Sequence, residues 1–198
     1  MKSNMKYPEF FNDVKPIVLK DKLSEFLGST EKGIIEFSYI DIVKMSGHSC
    51  GVTSGAYLMT LMGLKELYGE EMPVRGEIKV ELSGTLEDNT GVFAQVFMLI
   101  TGATSNTGFL GIKGSFNRRN LLFYGADIHS NVRFTRLDTG KSVEVKYDVT
   151  KAVYPGEILQ STISPYATDE DKKTFPIRWQ QMVKTIFDNA DKVVEVKV

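Results

Sequence analysis

Residues 47–68 read Gly-His-Ser-Cys-Gly-Val-Thr-Ser-Gly-Ala-Tyr-Leu-Met-Thr-Leu-Met-Gly-Leu-Lys-Glu-Leu-Tyr, and this stretch decides how the chain folds. Its pattern predicts a helix over 51–68, which Gly69 ends. Residues 56–64 are apolar on nearly every side of that helix. Such a helix is buried inside a protein or in an interface. We therefore expect the rest of the chain, or a second copy of it, to cover this segment.

The segment before this helix predicts one helix and one strand. Residues 16–28 carry apolar side chains at helical spacing and end at a glycine, which predicts a helix. Residues 34–45 begin with strand-like alternation, and their apolar phase then shifts at Ile40. This shift suggests a bulge in the strand or a strand buried on both faces. The strand is predicted to lead directly into the 47–51 loop.

The segment after the helix predicts a meander of strands. Strand patterns fall at 78–82, 121–124, 132–134 and 143–147. The sequence Asp138-Thr139-Gly140-Lys141 is a good hairpin turn between the last two. Residues 92–100 are apolar except for Gln95, and their pattern fits a buried strand or a short buried helix. Two loops are predicted, 83–91 and the glycine-rich and threonine-rich segment 101–115.

Residues 151–198 are predicted to be an extension packed on a core formed by 1–150, within a single domain. Pro155 and Pro165 bracket a stretch expected to be irregular, and Thr168 with Asp171 resembles a capping box. An amphipathic helix containing Trp179 is expected after Pro176, followed by a short strand at 194–198. These patterns together predict an α+β fold, with a mostly antiparallel sheet packed on a buried helix and a helical extension at the carboxyl end.

The composition excludes several classes of protein. The 198 residues carry 24 Lys and Arg against 25 Asp and Glu, so no strong field draws the chain to nucleic acid or to a membrane surface. No apolar run reaches the ~18 residues of a membrane helix, and Met1–Phe11 contains no run typical of a signal peptide. Cys50 is the only cysteine, so no intrachain disulfide forms, and a reducing cytoplasmic location is expected.

The residues that carry chemistry lie in the 47–51 loop. Cys50 is predicted at the amino end of the buried helix, where unpaired N–H groups and the helix dipole favour a thiolate. His48, two residues away, adds an imidazole, and the two side chains together suit zinc or a similar transition metal. The alternative is a buried structural cysteine beside a histidine that caps the helix.

Two further segments have a functional and a structural interpretation. Gly51, Gly55 and Gly63 lie near one face of the helix and leave room for a flat ligand or for close packing. Residues 101–108, Thr-Gly-Ala-Thr-Ser-Asn-Thr-Gly, would hold an anion on backbone N–H groups or form a solvated loop. The structural interpretation is favoured for both.

The same residues carry a family resemblance. Gly47-His48-x-Cys50 followed by Gly55 resembles the G-H-x-C-P-G-x-x-x-G signature of the formylmethanofuran dehydrogenase FmdE family. Residues 101–104 and Gly108 resemble that family's T-G-C-T-x-G-K-G-N stretch, and the 139–141 turn fits a later hairpin. Three family positions differ: Gly51 stands in place of a proline, Ala103 in place of a cysteine and Thr107 in place of a lysine.

The resemblance implies a core of the order α-β-α-β-β-β, an intertwined homodimer and a metal held by His48 and Cys50. It also implies a role in anaerobic one-carbon or redox metabolism. Seven residues are expected to bind a cofactor or small-molecule ligand beside the metal: Gly47, Gly51, Ser54, Gly55, Thr101, Gly102 and Thr104.

Three other functions remain open at this point. In the first, the chain is a thiol-dependent enzyme with Cys50 as nucleophile or redox centre and His48 as its base. In the second, His48 ligates a haem or another tetrapyrrole in a methionine-rich pocket. In the third, the chain is a dimeric scaffold with no chemistry.

Overall fold

A computed structural model describes residues 6–88 and 90–198. Residues 1–5, part of the segment in which no signal peptide is expected, and residue 89 in the predicted 83–91 loop lie outside the described residues. The helices and strands in chain order are β1 (Ile17–Asp21), α1 (Lys22–Leu27), β2 (Ile34–Phe37), α2 (Tyr39–Ser46), α3 (Gly51–Tyr68), β3 (Val74–Arg75), β4 (Ile78–Leu82), α4 (Thr90–Thr101), β5 (Leu122–Phe123), β6 (Val132–Arg136), β7 (Ser142–Tyr147), α5 (Pro155–Ile163), α6 (Asp169–Asp188), α7 (Ala190–Val193) and β8 (Val194–Lys197).

Two sheets organise the described residues. The larger has the order β5-β4-β6-β7-β8, and all its pairs are antiparallel except the short β4–β5 pair. The smaller has the order β2-β1-β3, in which β1 pairs antiparallel with β2 and parallel with β3. The α+β class predicted from the sequence is confirmed, with a mostly antiparallel sheet packed on the buried helix.

Helix α3 forms with the predicted bounds, and its last carbonyls are closed by the N–H of Gly69. One of its sides packs on β6, β7 and β8, and other sides pack on α2, α4 and α6. Thirteen of its residues are buried within a single chain. The apolar character of α3 is therefore explained without a second copy of the protein.

The predicted helix over 16–28 is wrong in its first half, because residues 17–21 form strand β1. Ile17, Leu19 and Asp21 are buried in alternation, since β1 lies between two other strands and packs on the core with one face. Asp21 then accepts hydrogen bonds from the first turn of α1 and caps that helix. Phe26 and Leu27, on the face predicted to be buried, are 62% and 60% exposed.

The predicted strand over 34–45 ends at Phe37. Ser38 and Asp41 form a capping box, which begins α2 at Tyr39. The phase shift at Ile40 therefore marks a change from strand to helix and not a bulge. The apolar run 92–100 belongs to helix α4, whose buried residues follow helical spacing. An extra strand at the start and α4 between β4 and β5 distinguish the observed order from α-β-α-β-β-β.

The carboxyl-terminal segment is more helical than predicted. Residues 155–163 form α5 with Pro155 at its first position, where a missing N–H costs nothing. The capping box of Thr168 and Asp171 is confirmed, and it begins α6 at Asp169, so Pro176 lies inside this helix and not before it. The predicted terminal strand forms as β8 and pairs with β7. No helix of the described residues is long and apolar enough to cross a membrane.

Candidate functional site

The loop that carries the predicted site joins two helices. Gly47 adopts a left-handed conformation at the end of α2, and its N–H donates to the carbonyl of Val43 at 2.8 Å. Cys50 is the N-cap residue of α3. The prediction of a junction between a strand and a helix is wrong here, because α2 replaces the second half of that strand. The position of Cys50 at the amino end of α3 is as expected.

The side chains of His48 and Cys50 meet. Sγ of Cys50 lies 3.4 Å from Nε2 of His48, and Nδ1 of His48 lies 3.0 Å from the carbonyl oxygen of Ser46. A carbonyl oxygen only accepts, so Nδ1 carries a proton in this bond. In the neutral form of the ring, Nε2 carries the lone pair and faces the thiol. His48 is exposed and Cys50 is partly exposed, so a dissolved reagent reaches both.

Hydrogen-bonded hydroxyl groups lie next to Cys50. The hydroxyl of Thr53 accepts from the N–H of Cys50 at 3.0 Å and lies 3.6 Å from its sulfur. The hydroxyl of Tyr39 lies 3.3 Å from that of Thr53 and 2.9 Å from that of Ser49. Burial raises the pKa of Tyr39 to about 12, so its hydroxyl remains protonated at neutral pH. These contacts hold the backbone of the N-cap residue in place.

Helix α6 fixes the loop from its other side. Nε1 of Trp179 donates to the carbonyl oxygen of Ser49 at 2.9 Å, and the side-chain amide of Gln180 lies 3.5 Å from the same oxygen. The hydroxyl of Ser46 donates to the carbonyl of His48 at 2.8 Å. Sequence reasoning missed all of these positioning groups. Only Thr53 lies close to Cys50 in the sequence, where it takes the N3 position of a capping box.

Ser54 and the nearby glycines face the protein interior. The hydroxyl of Ser54 donates to the carbonyl of Cys50 at 2.8 Å. The carbonyl of Gly51 accepts from the hydroxyl of Tyr147 at 2.7 Å, and a Cβ at Gly55 would overlap the ring of the same tyrosine. These residues are buried packing positions of α3, which agrees with the structural interpretation of the glycines.

The second predicted motif lies in a different part of the molecule. Thr101 donates to the carbonyl of Phe97 at 2.6 Å, and Thr104 donates to the carbonyl of Arg118 at 2.6 Å. Gly102 packs against the side chain of Arg118. The expectation that Thr101, Gly102 and Thr104 share a cavity with His48 and Cys50 is therefore not met. The motif contacts the segment that follows the carboxyl end of α3, whereas Cys50 stands at the amino end of that helix, about 27 Å long for its 18 residues.

The site offers only part of what a metal centre or a tetrapyrrole pocket requires. His48 and Cys50 offer two of the four ligands of a tetrahedral zinc site. No group of three or more His, Cys, Asp or Glu side chains that could hold a metal ion is found in residues 6–88 and 90–198. The exposed position of His48 gives no support to a tetrapyrrole buried in a methionine-rich pocket.

Three groups of the 47–51 loop and the end of α2 lie in contact with one another. The thiol of Cys50, the imidazole of His48 and the carbonyl of Ser46 form one chain of contacts. No protein-family model matches the chain, and no curated protein matches its sequence.

Proposed function

We propose that this protein is a thiol-dependent enzyme in which Cys50 is the nucleophile and His48 is its general base. The observation that carries the proposal is the 3.4 Å contact between Sγ of Cys50 and Nε2 of His48, with Nδ1 of His48 bonded to the carbonyl of Ser46. A nucleophile, an adjacent base and a group that orients the base are the recurring parts of covalent catalysis.

The chemistry follows from these three groups. The thiol proton of Cys50 passes to Nε2 of His48, and the carbonyl of Ser46 stabilises the imidazolium through the Nδ1 proton. The thiolate remains at the amino end of α3, where the helix dipole favours negative charge. It attacks an electrophilic carbon of the substrate, and His48 returns its proton to the leaving group. An exposed pair of this kind suits a substrate that approaches from solution.

Alkylation of Cys50 by iodoacetamide tests the proposal directly, because the chain has no other thiol. We expect the His48→Ala variant to react at least about tenfold more slowly than the wild type at neutral pH, since general-base assistance typically contributes ~10²–10⁴-fold.

The matched control is His129→Ala, since His129 is the other histidine of the chain and lies exposed in the loop between β5 and β6. This variant should react at the wild-type rate. Equal alkylation rates for the wild type and His48→Ala across the pH range would contradict the assignment of His48 as base.

A metal centre of the FmdE type is the second candidate, and the separation of the two donor atoms favours it. Bonds of ~2.0–2.1 Å to nitrogen and ~2.3 Å to sulfur at a tetrahedral angle place the two atoms about 3.5 Å apart. The observed separation of Nε2 and Sγ is 3.4 Å. We propose, for this candidate, that the missing ligands come from a small molecule or from a second copy of the chain in the homodimer that the resemblance implies.

One measurement separates the two candidates. A metal-bound thiolate resists iodoacetamide until a chelator is added, whereas a free nucleophile reacts at once. For the metal candidate, elemental analysis of protein purified without an affinity tag should find a metal that Cys50→Ser removes. Light scattering at micromolar concentration reports the dimer. A free reactive thiol also accords with the proposed cytoplasmic location, where thiols stay reduced.

A further inference from the structure

A cavity of about 400 Å³ lies between α1, β3 and the loop before β5. Its wall carries three cations, one carboxylate and two apolar side chains: Lys22, Arg75, Arg118, Glu77, Leu23 and Phe116. Within the described part of the chain, the hydrogen bonds of the Cys50 and His48 side chains involve none of these residues. We call this space the arginine cavity, and its chemistry is independent of the proposed thiol reaction.

The charges around the arginine cavity do not cancel. Asp21 is buried between two guanidinium groups, with Nη1 of Arg75 at 2.9 Å and Nη2 of Arg118 at 2.8 Å from its oxygens. Lys22 pairs with Glu77 at 2.6 Å. Three cations therefore face two carboxylates in this cluster. The excess of one positive charge favours a bound anion.

Arg118 also has unused hydrogen-bonding capacity. The residue is only 7% exposed, and its Nη1 atom is buried without a hydrogen-bond partner among the described residues. Arg75, in contrast, donates from Nε and Nη2 to the carbonyls of Ile100 and Leu99. Because Nη1 is buried, an anion in the cavity interacts with the positive charge of this guanidinium group and does not bond to Nη1 in the present conformation.

The backbone beside Arg118 is shaped to admit the guanidinium group. A Cβ at Gly76 would overlap its Nη1 atom, and a Cβ at Gly102 would lie within 2.8 Å of it. Gly76 also has a φ of +83°, which favours glycine. Burial lowers the pKa of Arg118, and the charge of Arg75 acts in the same direction while Asp21 opposes both. An additional anion would stabilise the charged guanidinium.

We infer that the arginine cavity binds a small organic oxyanion. Its carboxylate or phosphate group lies toward Arg118 and Lys22, and its apolar body packs against Leu23 and Phe116. The ring of Phe116 is held by the ring of Phe26, with centroids 5.3 Å apart, so the apolar wall is supported by a second aromatic side chain. A purely inorganic ion would leave this wall and most of the cavity volume unused.

The backbone of residues 101–108, for which an anion cradle was the less favoured interpretation, does not form this site. The N–H groups of Gly102, Ala103 and Thr104 donate to the carbonyl of Met98, to the hydroxyl of Thr101 and to the carbonyl of Arg118. They are therefore engaged within the protein. Arginine and lysine side chains, and not loop amides, supply the positive charge of the arginine cavity.

Calorimetric titration of the full chain with three probes tests the inference. The probes are phenyl phosphate, benzoate and phenol, which share one ring and differ in the group that it carries. We expect saturable 1:1 binding of at least one anion and no binding of phenol. The anion that binds more tightly identifies the group that the cavity prefers. Absence of binding by both anions, or equal binding of phenol, would overturn the proposal.

Two substitutions with opposite expected signs locate the binding. Glu77→Gln removes the competing carboxylate and releases Lys22, so the affinity for the anion should rise at least about threefold. Lys22→Met removes a cation from the wall and should weaken binding at least about tenfold. Lys20→Met is the matched control, because Lys20 pairs with Glu25 and does not line the cavity. Unchanged affinity in both Glu77→Gln and Lys22→Met would show that the anion binds elsewhere and refute the assignment.

Discussion

Replacing Asp21 by asparagine should destabilise the fold strongly although the shape of the side chain is kept. The carboxylate of Asp21 is buried and bridges Arg75 and Arg118 through separate oxygens. It also caps α1, since one oxygen accepts from the N–H groups of Leu23 at 2.9 Å and Ser24 at 3.1 Å. Asparagine preserves the cap but leaves two guanidinium groups without a counter-charge.

The expected loss in free energy of unfolding depends on which of these contacts the substitution removes. Removing one partner of a buried ion pair costs ~3–5 kcal/mol, because the other charge stays buried and unpaired. The side chain of Arg75 is 21% exposed and that of Arg118 is 8% exposed. Water therefore partly replaces the lost counter-charge at Arg75 but hardly does so at Arg118. We therefore expect Asp21→Asn to lower the free energy of unfolding by about 3 kcal/mol. Asp21→Ala, which also removes the cap, should cost about 1 kcal/mol more.

Urea denaturation of the wild type and both variants at pH 7 measures these differences. A loss below about 1 kcal/mol for Asp21→Asn would refute the reasoning, since that is the range of an exposed ion pair. Equal losses for Asp21→Asn and Asp21→Ala would show that the cap contributes nothing.

The pH dependence provides an independent check. Burial of Asp21 acts to raise its pKa, but hydrogen bonds from Arg75 and Ser24 and the charges of both arginines outweigh burial and hold the pKa below its ordinary 3.8. A carboxyl group whose pKa is lowered by folding stabilises the fold above its unfolded pKa, and this contribution is lost as the pH falls through the folded value. The difference between wild type and Asp21→Asn should therefore be constant from pH 7 to about pH 5 and should shrink below about pH 4.

Two further predictions concern the packing of α3 and the carboxyl-terminal segment. Gly55→Ala places a methyl group against the ring of Tyr147 and should lower the free energy of unfolding by ~1–3 kcal/mol, as overpacking does; a neutral result in urea denaturation would show that the ring moves freely. A chain ending at Ser164 lacks α6 and β8, so it should show no cooperative thermal transition by circular dichroism; a melting temperature equal to that of the full chain would contradict the packing of this segment on the core.

Segments with one strong local pattern are predictable from the sequence. Helix α3 has its predicted bounds because its apolar run exceeds the length of a strand and Gly69 provides the stop. Strands β4, β6 and β7 are recognisable because one face of each is buried and the other is not. In these places the local pattern and the tertiary burial agree.

Segments whose burial depends on distant partners are not predictable in this way. Residues 17–21 form a strand because β2 and β3 pair with both of its edges, and β3 lies more than 50 residues away in the chain. Helical spacing of Leu19 and Leu23 is the stronger local signal, but tertiary pairing overrides it. Pro176 is a misleading helix boundary because the capping box at Thr168 begins the helix two turns earlier.

The site shows the same division between local and distant information. His48 and Cys50 are two residues apart, so the contact between their side chains is within the reach of sequence reasoning. The bond from Trp179 to the loop spans 130 residues, and no pattern near Cys50 indicates it. The resemblance of residues 47–55 and 101–108 to two motifs of one family favoured a shared cavity. The topology places the two motifs at separate points along α3.

The apolar pattern of α3 predicts that the helix is buried, but it does not predict the oligomeric state. The uniform hydrophobicity of α3 correctly predicts that water does not reach it, but it does not identify the surface that covers it. The sheet, α4 and α6 of the same chain supply that surface, so the burial of α3 is no longer an argument for a dimer. A homodimer now depends on other surfaces, such as the exposed apolar side chains of α5 and the loop that follows it, Leu159, Ile163 and Tyr166. If a second copy completes the metal candidate by bringing its own Cys50 to the ion, mixing Cys50→Ser with wild-type chains should give a metal content below the sum of the separate proteins.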